Sequence, residues 1–284
     1  MYLIKILRKV VPPIFFDFGK IIFKLARKLM GQERLRHAGF EGVFDRWEEA
    51  AKLCGTYDSE KILEKCKNAI LKVKNGEAAY ERDSVLFDKI QYSWPLATTL
   101  LYVSNRSDGQ LHVLDFGGSL GSSYFQNRIF LETIKDRSWS IVEQADFVRE
   151  GNLFFQDSTL NFYDSIEVCA KDHKVNLFLA SSSLPYIENS FAHIDRILEY
   201  DFPFILIDRT YFIDLPKSIV SVQKVPPEIY DASYPAWFFN IDEFLSRFEK
   251  KYNLLFDFRS HLQATDAING IPTREMGFFF EIKS

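Results

Sequence analysis

The sequence predicts an α/β fold: a mostly parallel sheet covered by helices, preceded by an N-terminal helical region. From residue 111 onward, short β-rich runs alternate with helical stretches. One of these runs, residues 175–180, is continuously apolar, as suits a parallel strand buried on both faces. A glycine-rich stretch at 117–121 follows the first run, where a strand of such a sheet turns into its helix.

The composition narrows the class of protein. The 284 residues are 47% hydrophobic and 26% charged, which is typical of a globular protein and excludes a disordered chain. The net charge is −4, although residues 1–30 are strongly basic, so the remainder is clearly acidic and argues against a nucleic-acid surface. Three cysteines form no CxxC pair and the five histidines are scattered, so we predict neither a metal site nor a disulfide.

Residues 1–31 are predicted to form a basic amphipathic helix. Apolar residues recur at helical spacing after Pro12-Pro13, and lysines and arginines occupy the other side. The segment lacks a signal-peptide cleavage site and an apolar run of spanning length, so we expect a cytoplasmic protein. The apolar stripe either contacts the inner face of an anionic membrane or packs on protein, the same chain or a second subunit.

Residues 32–110 are predicted to be a helical cap region, and residues 111–284 the main domain. Ser59 suits the start of a helix that ends near Gly76. Asp83 is predicted to cap a second helix through Ile90, which Pro95 breaks or kinks.

The main domain contains five predicted strands before its closing elements. They are residues 112–116, 139–143, 160–163, 175–180 and 204–208. A helix over 241–252 then leads to two final strands, 254–258 and 277–282, joined by a hairpin-like loop.

The glycine loop and the acid after the second strand form the main candidate site. Gly117, Gly118 and Gly121 allow a sharp turn and a close approach to a ligand. Glu143 ends the next predicted strand, where a carboxylate can accept hydrogen bonds from both ribose hydroxyls of a nucleotide cofactor. Both NAD and S-adenosylmethionine fit this arrangement, but the dinucleotide pattern GxGxxG is absent and Asp115 precedes the glycines, which favours S-adenosylmethionine.

Several segments in order resemble a family of class I methyltransferases found in bacterial gene clusters for surface polysaccharides. The resemblance spans residues 45–284 and is carried by residues 76–85 (GEAAYERDSV), 121–125 (GSSYF), 142–144 (VEQ), 181–186 (SSSLPY) and 207–210 (IDRT). It implies a Rossmann-like, mostly parallel sheet with an antiparallel last strand, S-adenosylmethionine as cofactor and a glycan acceptor. The usual ExGxGxG loop of the class is here DxGGSxG, with Ser119 at the expected middle glycine.

The resemblance assigns further cofactor-binding candidates. It implies that Asp115 orients the loop and the amino-acid part of the cofactor. Asp164, after the third strand, is expected to face the adenine amino group, with Asp157 as a competitor for that role. Ser181, after the fourth strand, is expected to face the sulfonium or the acceptor, or else to belong to a serine-rich turn that satisfies its own backbone.

Asp208 and Glu81 are the candidate catalytic bases for methyl transfer to a hydroxyl. Asp208 has the alternative role of a structural ion pair with Arg209. Glu81 and Arg82 belong either to a helix-capping cluster or to a lid over the pocket, in which case Arg82 binds substrate. Tyr234 and Trp237 are candidates for an aromatic platform under a sugar ring, with core packing as the alternative for Trp237.

The sequence therefore favours an S-adenosylmethionine-dependent methyltransferase that modifies a glycan or sugar precursor of a cell-surface polysaccharide. One alternative is a catalytically inactive methyltransferase fold that organises a biosynthetic complex, which the irregular loop favours. A third interpretation, an NAD-dependent sugar-modifying enzyme, is disfavoured by the glycine spacing.

Overall fold

A computed structural model of the chain describes residues 39–55, 59–225, 232–260, 262 and 265–284. The amphipathic helix predicted over residues 1–31 lies outside the described residues. Thirteen strands are described: β1 Gly39–Phe44, β2 Tyr80–Arg82, β3 Val85–Phe87, β4 Gln110–Phe116, β5 Asp136–Val142, β6 Leu160–Tyr163, β7 Leu177–Ser181, β8 Phe204–Ile213, β9 Ile219–Lys224, β10 Ser233–Phe238, β11 Tyr252–Arg259, β12 Ala267–Ile268 and β13 Ile271–Ile282.

Eight α-helices and one 3₁₀ turn complete the described part of the chain. They are α1 Trp47–Ala51, α2 Ser59–Lys74, α3 Trp94–Arg106, α4 Ser122–Leu131, α5 Ala145–Phe154, α6 Ile166–Asp172, the 3₁₀ turn Leu184–Tyr186, α7 Ser190–Leu198 and α8 Ile241–Phe248. None of these helices is long and apolar enough to cross a membrane.

The central sheet has the strand order β6-β5-β4-β7-β8-β13-β11, with the short β12 paired to β13. The strands β6, β5, β4, β7 and β8 are parallel. Strand β13 runs antiparallel between β8 and β11. The predicted alternation of strands and helices and the antiparallel finish are confirmed, and the chain has the Rossmann-like fold of class I methyltransferases.

The middle strands of the parallel sheet bury residues on both faces because helices cover both sides of the sheet. Val113 and Leu179 pack into one core cluster, while their neighbours Leu114 and Phe178 pack into a second cluster on the other side. All four side chains are buried. This two-sided burial gives the continuous apolar runs from which the strands were predicted.

The many phenylalanines fill the antiparallel end of the sheet. Helix α8 packs Phe244 and Phe248 against Phe278 and Phe280 of β13, and the rings of Phe248 and Phe280 stack with centroids 4.3 Å apart. Core packing therefore accounts for much of the aromatic content of the chain.

The helix predicted from Asp83 to Ile90 is wrong, because β2 and β3 form an antiparallel hairpin there. Its two-residue turn holds Asp83 at φ 51° and Ser84 at φ 65°, and two left-handed residues are what a type I′ hairpin turn requires. Pro95 likewise begins α3 instead of interrupting a helix, since the first turn of a helix needs no N–H from that residue.

A small antiparallel sheet of order β1-β9-β10 was not predicted. Strand β1 comes from the region predicted to be a helical cap, residues 32–110, and it pairs with β9 of the predicted main domain, residues 111–284. The two predicted regions therefore contribute strands to one sheet. Strand β10 covers residues 233–238, predicted only as part of a long insert, and contacts the 3₁₀ turn that follows β7. The small sheet therefore lies near the loops at the carboxyl ends of the parallel strands.

Candidate functional site

Two adjoining cavities of about 440 and 360 Å³ lie where the loops after β4, β5 and β7 meet the middle of β8. We call them the larger and the smaller cavity. In a sheet of this kind, ligands usually bind at the carboxyl ends of the parallel strands, near the point where the strand order reverses. The two cavities share six lining residues: Asp83, Ser119, Ser122, Ser182, Tyr186 and Tyr234.

The glycine loop takes a path that its sequence explains. Gly117 and Gly121 have positive φ angles, 72° and 102°, which glycine adopts without strain. Gly118 is required by space, because a Cβ atom there would lie 2.6 Å from Cγ of Asp115. Ser119 itself has a φ of 53°, so it takes the left-handed conformation at the position where the class usually has glycine. The departure from the common loop pattern is thus accommodated locally.

Asp115 lies buried beneath this loop and lines the larger cavity. Its Oδ2 accepts a hydrogen bond from Nε1 of Trp139 at 3.1 Å. Burial raises the pKa of the Asp115 carboxyl to about 7, because the charged form is poorly solvated there. A cationic group in the cavity would favour the ionised carboxylate.

Glu143 follows β5 and lines the smaller cavity together with Gln144 and Phe147. Its Oε1 accepts the backbone N–H of Ser119 at 3.3 Å, and its Oε2 accepts the backbone N–H of Gln144 at 2.7 Å. Burial raises the pKa of this carboxyl, and the two backbone hydrogen bonds oppose that shift. The structure therefore brings Glu143 against the glycine loop, as its position after the second strand predicted.

Asp208 and Ser181 are neighbours in register across β8 and β7, and both line the larger cavity. Asp208 is 1% exposed, and its oxygens accept the backbone N–H of Arg209 at 2.8 Å and the hydroxyl of Ser93 at 3.3 Å. Burial raises the pKa of the Asp208 carboxyl. A raised pKa makes this carboxylate a better proton acceptor near neutral pH than an ordinary aspartate.

The guanidinium of Arg209 forms its ion pairs with Asp83 and Glu275, and not with Asp208. Its Nη2 lies 3.5 Å from Oδ2 of Asp83, and its Nε lies 3.7 Å from Oε1 of Glu275. The contact between Asp208 and Arg209 runs through the backbone N–H. The side chain of Arg209 instead connects the tip of the β2–β3 hairpin to the central sheet.

Glu81 lines the smaller cavity and is 3% exposed. One of its oxygens accepts the hydroxyl of Ser122 at the start of α4, and the other accepts the backbone N–H of Ser84 at 3.1 Å. Burial raises the pKa of the Glu81 carboxyl to about 7. Since both oxygens are engaged within the protein, this residue ties the hairpin to α4.

Replacing Glu81 with glutamine gives a pH-dependent change in stability. The pKa of Glu81 rises from 4.5 to about 7 on folding, so the wild type loses stability as pH rises through that window. Glutamine does not titrate, so we expect Glu81→Gln to gain about 3 kcal/mol relative to wild type between pH 4 and pH 8. Urea unfolding at both pH values measures the difference, with the exposed Glu132→Gln as control. A difference that does not change with pH contradicts the buried-carboxylate assignment.

Two of the three predicted substrate-binding residues line the larger cavity. Tyr234 lines both cavities, with its ring 5.3 Å from that of Tyr186. Arg82 lines the larger cavity, where its Nη1 donates to Gln91 at 3.0 Å and its guanidinium lies 5.0 Å from the centroid of the Phe87 ring.

Trp237 and Asp164 line neither cavity. Trp237 donates from Nε1 to the carbonyls of Ile187 and Glu188, both at 3.1 Å, and stacks on Trp47, as its core-packing alternative expects. Asp164 is exposed after β6. Its competitor Asp157 lines neither cavity, and its Oδ1 accepts the backbone N–H groups of Thr159 and Leu160 in the loop before β6.

Five polar residues of the larger cavity lie outside every motif and segment singled out in the sequence: Ser93, Gln126, Tyr211, Gln223 and Glu275. They lie directly before α3 and on α4, β8, β9 and β13 and carry no local motif, so only the tertiary fold brings them together. Tyr186 also lines the cavity, and it lies in residues 181–186, one of the segments that carry the family resemblance. For this residue the sequence did contain a signal. Within the described residues, no three His, Cys, Asp or Glu side chains are grouped to hold a metal ion.

No family profile and no curated protein matches the chain in sequence. Three solved structures that resemble it in fold are the N-terminal domain of EvdMO1 in the presence of S-adenosylhomocysteine and D-fucose, a methyltransferase dependent on S-adenosylmethionine from Clostridium acetobutylicum, and magnesium protoporphyrin IX methyltransferase from Synechocystis with bound S-adenosylmethionine. Sequence identities are 12%, 9% and 8%, and TM-scores are 0.46, 0.41 and 0.44. The matches cover 80%, 68% and 67% of this chain and 98%, 94% and 79% of the other chains. At such low sequence identities the comparison concerns the fold alone. The strand order of this chain defines that fold independently of the comparison.

Proposed function

We propose that the protein is an S-adenosylmethionine-dependent methyltransferase that modifies a hydroxyl of a glycan or sugar precursor of a cell-surface polysaccharide. The observation that carries the proposal is the Glu143 carboxylate, oriented by the N–H of Ser119 beside the glycine loop and lining a cavity next to the one that contains Asp208. Ribose hydroxyls are the natural donors to a carboxylate in this position.

The chemistry of the smaller cavity suits S-adenosylmethionine better than NAD. No Lys, Arg or His is found among the described residues that line it, whereas Glu81, Asp83 and Glu143 are. A dinucleotide pyrophosphate would meet acids without a cation. A cofactor with a sulfonium, an ammonium and a single carboxylate, and no phosphate, carries net positive charge and matches this lining, and the ammonium suits the carboxylate of Asp115 in the adjoining cavity.

When bound, the cofactor supplies an electrophilic methyl group. Asp208 accepts the proton of the acceptor hydroxyl at its carboxylate, and Ser181 lies next to it in register to orient that hydroxyl. The left-handed conformation of Ser119 gives the loop a path without the usual glycine, which weakens the main reason for an inactive scaffold.

Titration calorimetry of the full chain with S-adenosylmethionine, S-adenosylhomocysteine and NAD tests the cofactor. We expect heat from the first two and none from NAD. An intact fold that gives no heat with either methionine-derived compound overturns the proposal, and binding of NAD alone supports a sugar-modifying dehydrogenase. Transfer of a labelled methyl group to a bacterial glycan fraction tests catalysis, and cofactor binding without transfer supports the scaffold alternative.

We also propose that residues 1–30 contact the inner face of an anionic membrane. The support is the basic, amphipathic pattern of the sequence. Vesicle flotation of the chain with and without these residues tests the contact, and equal recovery of both forms with anionic vesicles contradicts it.

A further inference from the structure

The wall of the larger cavity contains a directed chain of hydrogen bonds. The hydroxyl of Tyr186 donates to Oε1 of Gln223 at 2.8 Å and lies 2.9 Å from the hydroxyl of Tyr211. A phenol has one proton, and the amide oxygen only accepts. Because Tyr186 gives its proton to Gln223, the bond between the two tyrosines must be donated by Tyr211. The chain therefore runs from Tyr211 through Tyr186 to Gln223.

This direction fixes what the wall offers to a ligand. The amide of Gln223 is oriented by its oxygen, and no acceptor within the described residues takes up the two N–H donors of its Nε2. The oxygen of Tyr211 keeps lone pairs that can accept. Tyr211 is held by Phe238, with stacked rings 5.0 Å apart. All three chain members line the cavity, so they present a fixed donor and a fixed acceptor, the pair that recognises hydroxyl groups.

The charges around the same cavity disfavour an anionic ligand. The guanidinium of Arg209 already lies between two carboxylates, 3.5 Å from Asp83 and 3.7 Å from Glu275. Asp115 and Asp208 add two further acids to the lining. Arg82 is the remaining cation among the described lining residues, and it is engaged with Gln91. A phosphate or carboxylate entering here would face four acidic residues against two arginines, one of which already pairs with two of those acids.

We propose that the larger cavity takes an uncharged, polyhydroxylated ring, that Gln223 is a specificity-determining residue which donates to one of its hydroxyls, and that Tyr186 is the positioning residue which orients Gln223. This inference rests on the proposed function, in which the larger cavity is the acceptor side. It goes further by excluding acceptors that place a phosphate or a carboxylate in this cavity.

The test uses the full chain and simple sugars as probes. Methyl glycosides of neutral hexoses and 6-deoxyhexoses, methyl glucuronide and glucose 6-phosphate are titrated by saturation-transfer NMR, with and without S-adenosylhomocysteine. We expect saturable binding of at least one neutral probe and weaker binding of both charged probes. In Gln223→Leu and Tyr186→Phe, the dissociation constant of that neutral probe rises about tenfold, as the loss of one oriented hydrogen bond predicts.

A matched control and a second ligand separate recognition from a general structural effect. Tyr102→Phe removes a hydroxyl from α3, where the ring contacts Phe204 and Phe279, and should leave sugar binding unchanged. The dissociation constant for S-adenosylhomocysteine should stay the same in the Gln223 variant, because Gln223 lines the larger cavity and not the smaller one. Charged probes that bind as tightly as neutral ones, or no saturable neutral probe, overturn the inference. Titrations without the cofactor product keep this result separate from failure of the cofactor proposal.

Discussion

Replacing Glu143 with alanine is expected to raise the dissociation constant for S-adenosylhomocysteine by about 100-fold, the equivalent of about 3 kcal/mol. The carboxylate is the only acceptor assigned to the two ribose hydroxyls, and hydrogen bonds to a charged group are worth about 1.5–3 kcal/mol each. The substitution also removes the partner of the Ser119 N–H, which loosens the loop at the boundary of the two cavities. Titration calorimetry at constant pH and salt measures the change.

Two companion variants sharpen this measurement. Glu143→Gln keeps one oxygen acceptor without the charge and should fall between wild type and alanine. Asp146→Ala removes an acid from the first turn of α5, where it pairs with Arg149 on the surface, and should bind as wild type does. If Glu143→Ala binds within about threefold of wild type while its unfolding midpoint is unchanged, Glu143 does not hold the ribose.

Gly118→Ala is expected to cause the largest loss of stability, about 3–4 kcal/mol. The added Cβ would lie 2.6 Å from both Cγ and Oδ2 of Asp115, a carboxylate that is 1% exposed and cannot move into solvent without opening the loop. Displacing it breaks the hydrogen bond from Trp139 and leaves two buried polar groups unpaired. Urea unfolding measures the free energy, and calorimetry measures the accompanying loss of cofactor affinity.

A double-mutant cycle tests this explanation. Removing the carboxylate in Asp115→Ala makes room for the new methyl group, so the double variant should be more stable than the sum of the two single effects predicts. Gly55→Ala is the matched control, because its Cβ would meet only Ser233 Oγ, at an ordinary 3.5 Å. Simple additivity of the two substitutions would show that the loop, and not the carboxylate, sets the cost.

The parallel sheet could be predicted because the sequence pattern that identifies a strand lies within a few consecutive residues. A central strand such as β7 is buried on both faces, so its apolar run stands out from its neighbours in the chain, as residues 175–180 do. The β2–β3 hairpin could not, since three apolar residues at 85–87 fit a helix as well as a strand. Its turn uses Asp83 and Ser84 in place of the Asn-Gly that commonly marks such a turn.

The candidate site divides in the same way. Glu143 and the glycine loop lie next to one another because β4 and β5 are adjacent and parallel, a consequence of a fold that the sequence predicts. Asp164 follows β6, the parallel neighbour of β5, as expected, and it lies exposed at that edge. Gln223 lies on β9, which pairs with β1. The two strands are far apart in the sequence, and no local pattern predicts a pairing between such distant segments.

The location of the hairpin and the small sheet has an evolutionary consequence under the proposed function. Arg82, Gln223 and Tyr234 lie on these two structures, outside the central sheet, while Glu143 and the glycine loop lie on the connections of the sheet itself. Descendants of this protein can therefore diverge in what they methylate through changes in the β2–β3 hairpin and the small sheet. The edge that binds the cofactor can meanwhile stay under its own, separate selection.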